Sequence, residues 1–282
     1  KNEFRTLPAS INWVLHSKAE RPAMYQAQLP AIMPCNPEQV QDALRGLSEY
    51  CGDCVVSFSH LGEPAEYSDV YSLLRNTVAI PNLEVVVETN GIDWNIEKLR
   101  QLSQELEQDG IREKLRWIVF LDAQNTDVYT QIRPSGDFEK ASSTVDVLMD
   151  LFPDAVYVQA TRMDSNEHHL LDFYGFWKEK TDNIIVQKYN TYAGQLPDHR
   201  VADTGPLQRM ACWRLRREMT ILPDGSVSAC HVDVFQPGRF GNIITDTPEE
   251  VWQKLGEIYQ QHLDGALPAM CEKCDEYYTF TC

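Results

Sequence analysis

Short apolar runs alternate with segments of helical hydrophobic spacing over most of the chain. Five of these runs predict strands, which begin near residues 55, 84, 117, 155 and 184. The starts are 29 to 38 residues apart, which is typical of βα units in a parallel sheet or barrel. We therefore predict an α/β fold whose chemistry lies at the C-terminal ends of the strands.

Polar residues with N-cap chemistry precede the helical segments. Asn36 is followed by Pro37 and Gln39, which predicts a capping box with a proline in the first turn. The predicted caps of the other main helices are Asn95, Asp137 and Thr247. These signals define where helices should start between the strands.

Three segments differ in pattern. Residues 1–36 are interrupted by four prolines and are predicted to be irregular. Residues 37–204 carry the βα alternation, so they form the predicted barrel domain. In residues 205–282 the alternation stops and cysteines with turn-rich segments take over, which predicts a second, small domain.

Composition limits the partners that the chain can have. Its 282 residues include 25 Lys plus Arg and 42 Asp plus Glu, giving a net charge of −17. Such an acidic chain repels nucleic-acid phosphates and anionic lipid surfaces, so neither partner is expected. No apolar run has the roughly 18 residues that a membrane helix needs. We expect a cytoplasmic protein, and the initial Lys1 suggests a fragment or a processed chain.

Four of the eight cysteines are predicted to bind one metal centre. The turn at Asp224 and Gly225 predicts a hairpin that returns one cysteine beside another, and the helix after Thr247 brings back a CxxC pair. Thiolates suit zinc and iron–sulfur clusters alike, and spacing does not separate the two. Buried free cysteines without metal are the alternative. The predicted ligands are Cys212, Cys230, Cys271 and Cys274.

Other residues near these motifs receive simpler interpretations. Cys51 and Cys54 form a second CxxC pair, but it precedes a strand, so we interpret both as half-buried structural cysteines rather than a redox pair. Cys282 is a spare thiol. Asp275 is interpreted as a solvated turn residue rather than a proton acceptor.

Several segments in order resemble the radical SAM proteins that carry a C-terminal SPASM domain. Gly62-Glu63-Pro64 follows the first predicted strand, and Thr89-Asn90-Gly91 follows the second. The stretch 120–140 and the strand end 158–163 are similar to the family's next two segments. The cysteine pattern of residues 212–278 resembles a SPASM domain. The resemblance covers residues 37–282.

This resemblance implies a partial (β/α)6 barrel followed by a small iron–sulfur SPASM domain, with a [4Fe–4S] cluster on the four cysteines. It also implies S-adenosylmethionine as a cofactor, whose amino group the backbone of the Gly-Glu-Pro segment would hold. A peptide or protein substrate and a reductant protein are the implied partners. Catalytic residues are not identified. The implied cofactor-binding residues are Gly62, Glu63, Pro64, Asn90, Gln159 and Arg162.

One departure divides the functional hypotheses. The family's CxxxCxxC triad, which binds the catalytic cluster after the first barrel strand, is absent, and five strands are predicted instead of six. Either the missing strand and triad lie upstream of Lys1 in a peptide-modifying enzyme, or this member lost the catalytic cluster. In the second case the chain is a binding or electron-transfer module. A zinc-stabilised adaptor domain is the third hypothesis.

Overall fold

A computed structural model describes residues 4–201, 209–235 and 240–276. Its strands form one sheet in the order β6-β5-β4-β3-β2-β1-β7-β8. Strands β1 to β6 are parallel neighbours in chain order. The strands are β1 (Ser10–Trp13), β2 (Cys54–Phe58), β3 (Leu83–Thr89), β4 (Leu115–Phe120), β5 (Val156–Arg162), β6 (Ile184–Lys188), β7 (Glu218–Ile221) and β8 (Val227–Ser228).

Helices connect the parallel strands, as the alternating pattern predicted. The helices are α1 (Pro37–Cys51), α2 (Val70–Val78), α3 (Ile96–Gln108), α4 (Thr126–Ile132), α5 (Phe138–Leu151), α6 (Leu170–Lys178), α7 (Pro248–Leu263) and α8 (Ala269–Lys273). The predicted caps are confirmed, since Asn36 and Thr247 form capping boxes while Asn95 and Asp137 accept from first-turn amides. The short helix α4 was not predicted.

The predicted strand count was wrong, because residues 1–36 are not wholly irregular. Strand β1 lies in this segment and pairs in parallel with β2 on one side and β7 on the other. It has only four residues, and two of them, Ser10 and Asn12, are polar. Such a short run gives little periodic signal, and its stability comes from two non-local neighbours and the complete burial of Ile11 and Trp13. The barrel therefore has six parallel strands in this chain.

The sheet continues into the cysteine-bearing part of the chain. Strand β7 pairs with β1 and forms an antiparallel hairpin with β8. Gly225 in the hairpin turn has a φ of 80°, which glycine adopts without steric cost. The division near residue 205 remains our proposal for the domain boundary, and the hairpin fixes the small domain to the edge of β1. Within the described residues, no helix has the length and apolar character needed to cross a membrane.

Candidate functional site

The four predicted metal ligands meet in one pocket. Cys212 precedes β7, Cys230 follows β8, and Cys271 lies in α8, whose C-cap is Cys274. The hairpin and the return of α7 thus bring three distant segments together, as their spacing predicted. Leu215, Val232 and Met270 add apolar surface to the same pocket, which shields it from water.

Burial makes this pocket unfavourable for free thiolates. It raises the pKa of Cys212 and Cys230, and it raises the pKa of Cys274 to about 12. Neighbouring cysteines raise the pKa of Cys230 further, because two buried negative charges would repel. A cationic metal centre removes this penalty by binding the deprotonated sulfurs. The donor set is therefore suited to a metal group.

The spacing of the ligand atoms determines which metal group can bind here. Tetrahedral zinc with Zn–S bonds of about 2.3 Å requires sulfurs that are about 3.8 Å apart. Within the described ranges, no group of three or more His, Cys, Asp or Glu side chains is arranged to hold a single metal ion. Four thiolates are also the ligand set of a four-iron cluster.

Buried ion pairs surround the pocket. Glu276 accepts from Arg214 at 3.0 Å. Asp275 is only 5% exposed and lies 3.3 Å from Lys188 Nζ and 3.2 Å from Arg200 Nη1. The interpretation of Asp275 as a solvated turn residue was therefore wrong, because two cations from the barrel side compensate its burial.

Glu63 and Asn90 meet at the mouth of the barrel. Glu63 is 1% exposed, and its carboxylate accepts from the amides of Asn90 at 2.8 Å and Ala65 at 3.2 Å. The Thr89 hydroxyl donates to the same carboxylate. Burial raises the pKa of Glu63, although these hydrogen bonds oppose the shift. Glu63 therefore joins the ends of β2 and β3.

The other implied cofactor-binding residues do not all converge there. Gln159 faces the barrel interior and donates to Gln187 at 2.7 Å. Arg162 lies on the outer rim and makes a two-point ion pair with Glu167. Gly62 and Pro64 are buried beside Glu63, and Pro64 starts a short 3₁₀ turn. Arg162 is thus the one of the six that the fold directs away from the mouth.

A cavity of about 390 Å³, lined by both polar and apolar side chains, lies inside the barrel beside the small domain. His60 stacks on Phe120 at 4.2 Å between ring centres, and its Nδ1 lies 2.9 Å from Glu88. The signal in the sequence was Glu88, a glutamate near the end of the apolar run of β3. Other polar lining residues that sequence reasoning missed include Asn12, Ser57, Gln187, Lys188, Asn190, Arg214 and Glu218.

A second buried polar group was also missed. Asp122 has a φ of 64° at the end of β4, and its carboxylate accepts from Tyr25 Oη at 2.6 Å and from the Thr161 amide at 2.8 Å. Arg133 is 2% exposed, and its positive charge lowers the pKa of Asp122 against the larger raising effect of burial. These residues join loop 14–36 to the strand ends.

The structure identifies the segment in which the family's catalytic cluster would lie. Strand β1 is the first barrel strand, so the family's triad would fall in loop 14–36. That loop contains one cysteine, Cys35, whose amide donates to Pro223 O at 2.7 Å. The expectation that the first strand is missing was wrong, and the residues that follow it do not fit a three-cysteine cluster.

The remaining cysteine pair lies at the other end of the strands. Cys51 ends α1 and Cys54 begins β2, and they are 4% and 5% exposed. Cys282 lies outside the described residues.

Carboxylates near the mouth should give the fold a pH dependence. Glu66 accepts from the Glu20 amide at 3.0 Å, and burial raises its pKa to about 7. A raised pKa means that the folded state prefers the neutral acid, so stability should fall as pH rises from about 4.5 to about 7. Glutamine does not ionise, so in Glu66→Gln the free energy of unfolding should fall by about 1–2 kcal/mol less over this pH range than in the wild type, after allowance for solvent screening. Urea unfolding of both proteins at pH 5 and pH 8 measures this difference. An equal change in the free energy of unfolding between the two pH values in both proteins would contradict the prediction.

Comparisons with known proteins agree with this geometry. Residues 212–275 match the SPASM family, described as an iron-sulfur cluster-binding domain. An uncharacterized protein of Treponema pallidum is 33% identical over 99% of this chain and 81% of its own length.

Solved structures share the fold at low identity. SuiB of Streptococcus suis, bound to precursor peptide SuiA, has a TM-score of 0.69 and 11% identity over 98% of this chain and 72% of its own. The anSMEcpe enzyme with bound AdoMet and the Cp18Cys peptide has a TM-score of 0.66 and 16% identity over 95% of this chain and 86% of its own. BtrN in complex with AdoMet and 2-DOIA has a TM-score of 0.62 and 17% identity over 95% and 93%. This chain therefore belongs to one family with the Treponema pallidum protein, carries a SPASM iron-sulfur cluster-binding domain at residues 212–275, and shares its α/β fold with radical SAM enzymes.

Proposed function

We propose that this chain is a cluster-bearing binding and electron-transfer protein that does not cleave S-adenosylmethionine by the family's route. One observation carries the proposal. The first barrel strand is present, and the loop that follows it has a single cysteine where the catalytic cluster needs three. An electron for the sulfonium would have no cluster beside it to come from.

The [4Fe–4S] cluster of the small domain is the second part of the proposal. Its ligands would be Cys212, Cys230, Cys271 and Cys274, which line one shielded pocket. Bound there, the cluster supplies one-electron chemistry. Arg214 and the ion pairs around it would compensate the negative charge of the thiolate set.

The barrel cavity lies next to the pocket that would hold this cluster. Arg214 and His231 line both the cavity and the cysteine pocket, so these two side chains lie between the two spaces. A ligand in the cavity would therefore lie close enough to exchange an electron with the cluster, which a zinc adaptor would not do. We propose a peptide or protein and a reductant protein as partners. We also propose a cytoplasmic location, because clustered cysteines in a chain of this size are more typical of metal binding than of secreted disulfide frameworks.

The test is anaerobic reconstitution of the whole chain with iron and sulfide. We expect about four iron and four sulfide per chain, with a visible absorption band that dithionite bleaches. Incubation with S-adenosylmethionine and dithionite should give no 5′-deoxyadenosine.

Three results would contradict the proposal in different ways. About eight iron per chain would show a second cluster. Formation of 5′-deoxyadenosine would show that the chain cleaves the cofactor. One zinc and no iron would leave the adaptor hypothesis in place of the cluster.

A further inference from the structure

Loop 14–36, which joins β1 to α1, is part of the barrel interior rather than a surface connection. Its apolar side chains are buried against the strand ends, and several of its backbone groups bond to residues far away in the chain. The nearly inaccessible apolar residues of the loop are Val14, Leu15, Ala19, Ala23, Tyr25 and Ala27.

Gln26 is the polar centre of this loop. Its side-chain NH₂ donates to the carbonyl of Leu61 at 3.2 Å and to the carbonyl of His60. Its side-chain oxygen accepts from the Ala23 amide at 3.2 Å. Gln26 is only 4% exposed, so this carboxamide is buried with its donors directed at two adjacent carbonyls.

His16 fills the space beside Gly62. Its Nε2 donates to the Glu63 carbonyl at 2.6 Å, and its own carbonyl oxygen would lie 1.8 Å from a Cβ built on Gly62. No side chain is therefore tolerated at Gly62 while the loop is in place. Gly62, which belongs to the segment that resembles the family's motif, leaves room here for the backbone of His16.

Further contacts hold the loop against the mouth. Tyr25 donates to Asp122, the Met24 amide donates to Ile132 O at 2.8 Å, and Arg133 donates to Arg21 O. These bonds come from the end of β4 and from α4, so the loop is also fixed by contacts other than those at Gly62.

We propose that loop 14–36 occupies the amino-acid end of the S-adenosylmethionine site, with the Gln26 NH₂ in place of the cofactor's ammonium. Two adjacent carbonyls need a hydrogen-bond donor when they are buried, and either an ammonium or a carboxamide supplies it. The chain thus carries an internal substitute and does not bind the cofactor while the loop is seated. This rests on the proposed function, since it takes loop 14–36 as the segment that lacks the catalytic cluster.

The experiment combines equilibrium dialysis of the reconstituted whole chain against S-adenosylmethionine with hydrogen exchange. Wild-type protein should show no saturable binding up to about 1 mM cofactor. The Ala23 and Met24 amides should exchange slowly. Gln26→Glu replaces the donating NH₂ by a carboxylate oxygen, which is repelled by the two carbonyl oxygens. The loop should then open more often, so the Ala23 and Met24 amides should exchange about tenfold faster while the amides of β4 stay protected. Met33→Ala, at an exposed position of the same loop, should change neither result.

Saturable binding of the cofactor to the wild type at micromolar concentration would overturn the proposal. Equal loop protection in wild type and Gln26→Glu would also overturn it, because Gln26 would then not be the anchor. If Gln26→Glu fails to fold, the dialysis result and the amide exchange rates of the wild type still test the proposal. Iron content reports separately on the proposed function, because none of these outcomes alters the four cluster cysteines.

Discussion

Replacing Cys271 and Cys274 together by serine should reduce bound iron from about four atoms per chain to nearly none. Serine keeps the size of the side chain but not the thiolate, so the two irons that these cysteines would hold lose their ligands. Structural metal sites contribute on the order of 10 kcal/mol to the folding of small domains. The segment after residue 209 should therefore also become sensitive to protease, while the barrel helices keep their circular dichroism.

Cys51→Ser together with Cys54→Ser is the matched control, because it removes a second CxxC pair at the opposite end of the strands. This variant should keep its iron and its absorption band. If the Cys271/Cys274 variant retained its iron, or if the control lost it, the assignment of the cluster to Cys271 and Cys274 would be wrong.

Replacing Arg133 by methionine should lower the free energy of unfolding by about 3–5 kcal/mol at pH 7, because it leaves buried charges without compensation. Arg133 is 2% exposed, and its charge lowers the pKa of both Asp122 and Glu63. Without it these carboxyls would prefer the neutral form even more strongly. Since a raised pKa costs stability as pH rises, the deficit should be larger at pH 8 than at pH 5.

Denaturant unfolding of wild type and variant at the two pH values measures this effect. Arg116→Met is the control, because Arg116 makes an ion pair with Glu84 on the surface, where such pairs contribute about 0–1 kcal/mol. A deficit for Arg133→Met that equals the control, or one that shrinks at pH 8, would contradict the electrostatic role.

The parts of the fold that could be predicted from the sequence are those with strong local signals. Alternating strand and helix periods gave five of the six parallel strands, and side-chain caps such as Asn36 and Thr247 marked helix starts. The cysteine spacing identified a set of four that meets in one pocket. These features depend on residues that are close in the chain or on a chemistry that few residue types share, so they can be read without the fold.

Three features required the tertiary structure. Strand β1 has four residues and is stabilised by β2 and β7, which lie more than 40 and 200 residues away in the chain. The pairing of Glu88 with His60 and the placement of Gln26 on two carbonyls also join distant segments. No periodicity or spacing encodes such contacts. The sequence by itself determined the fold class and the cysteine set of this protein, and only the tertiary structure decided that its first strand is present and that its own loop lies in the barrel mouth.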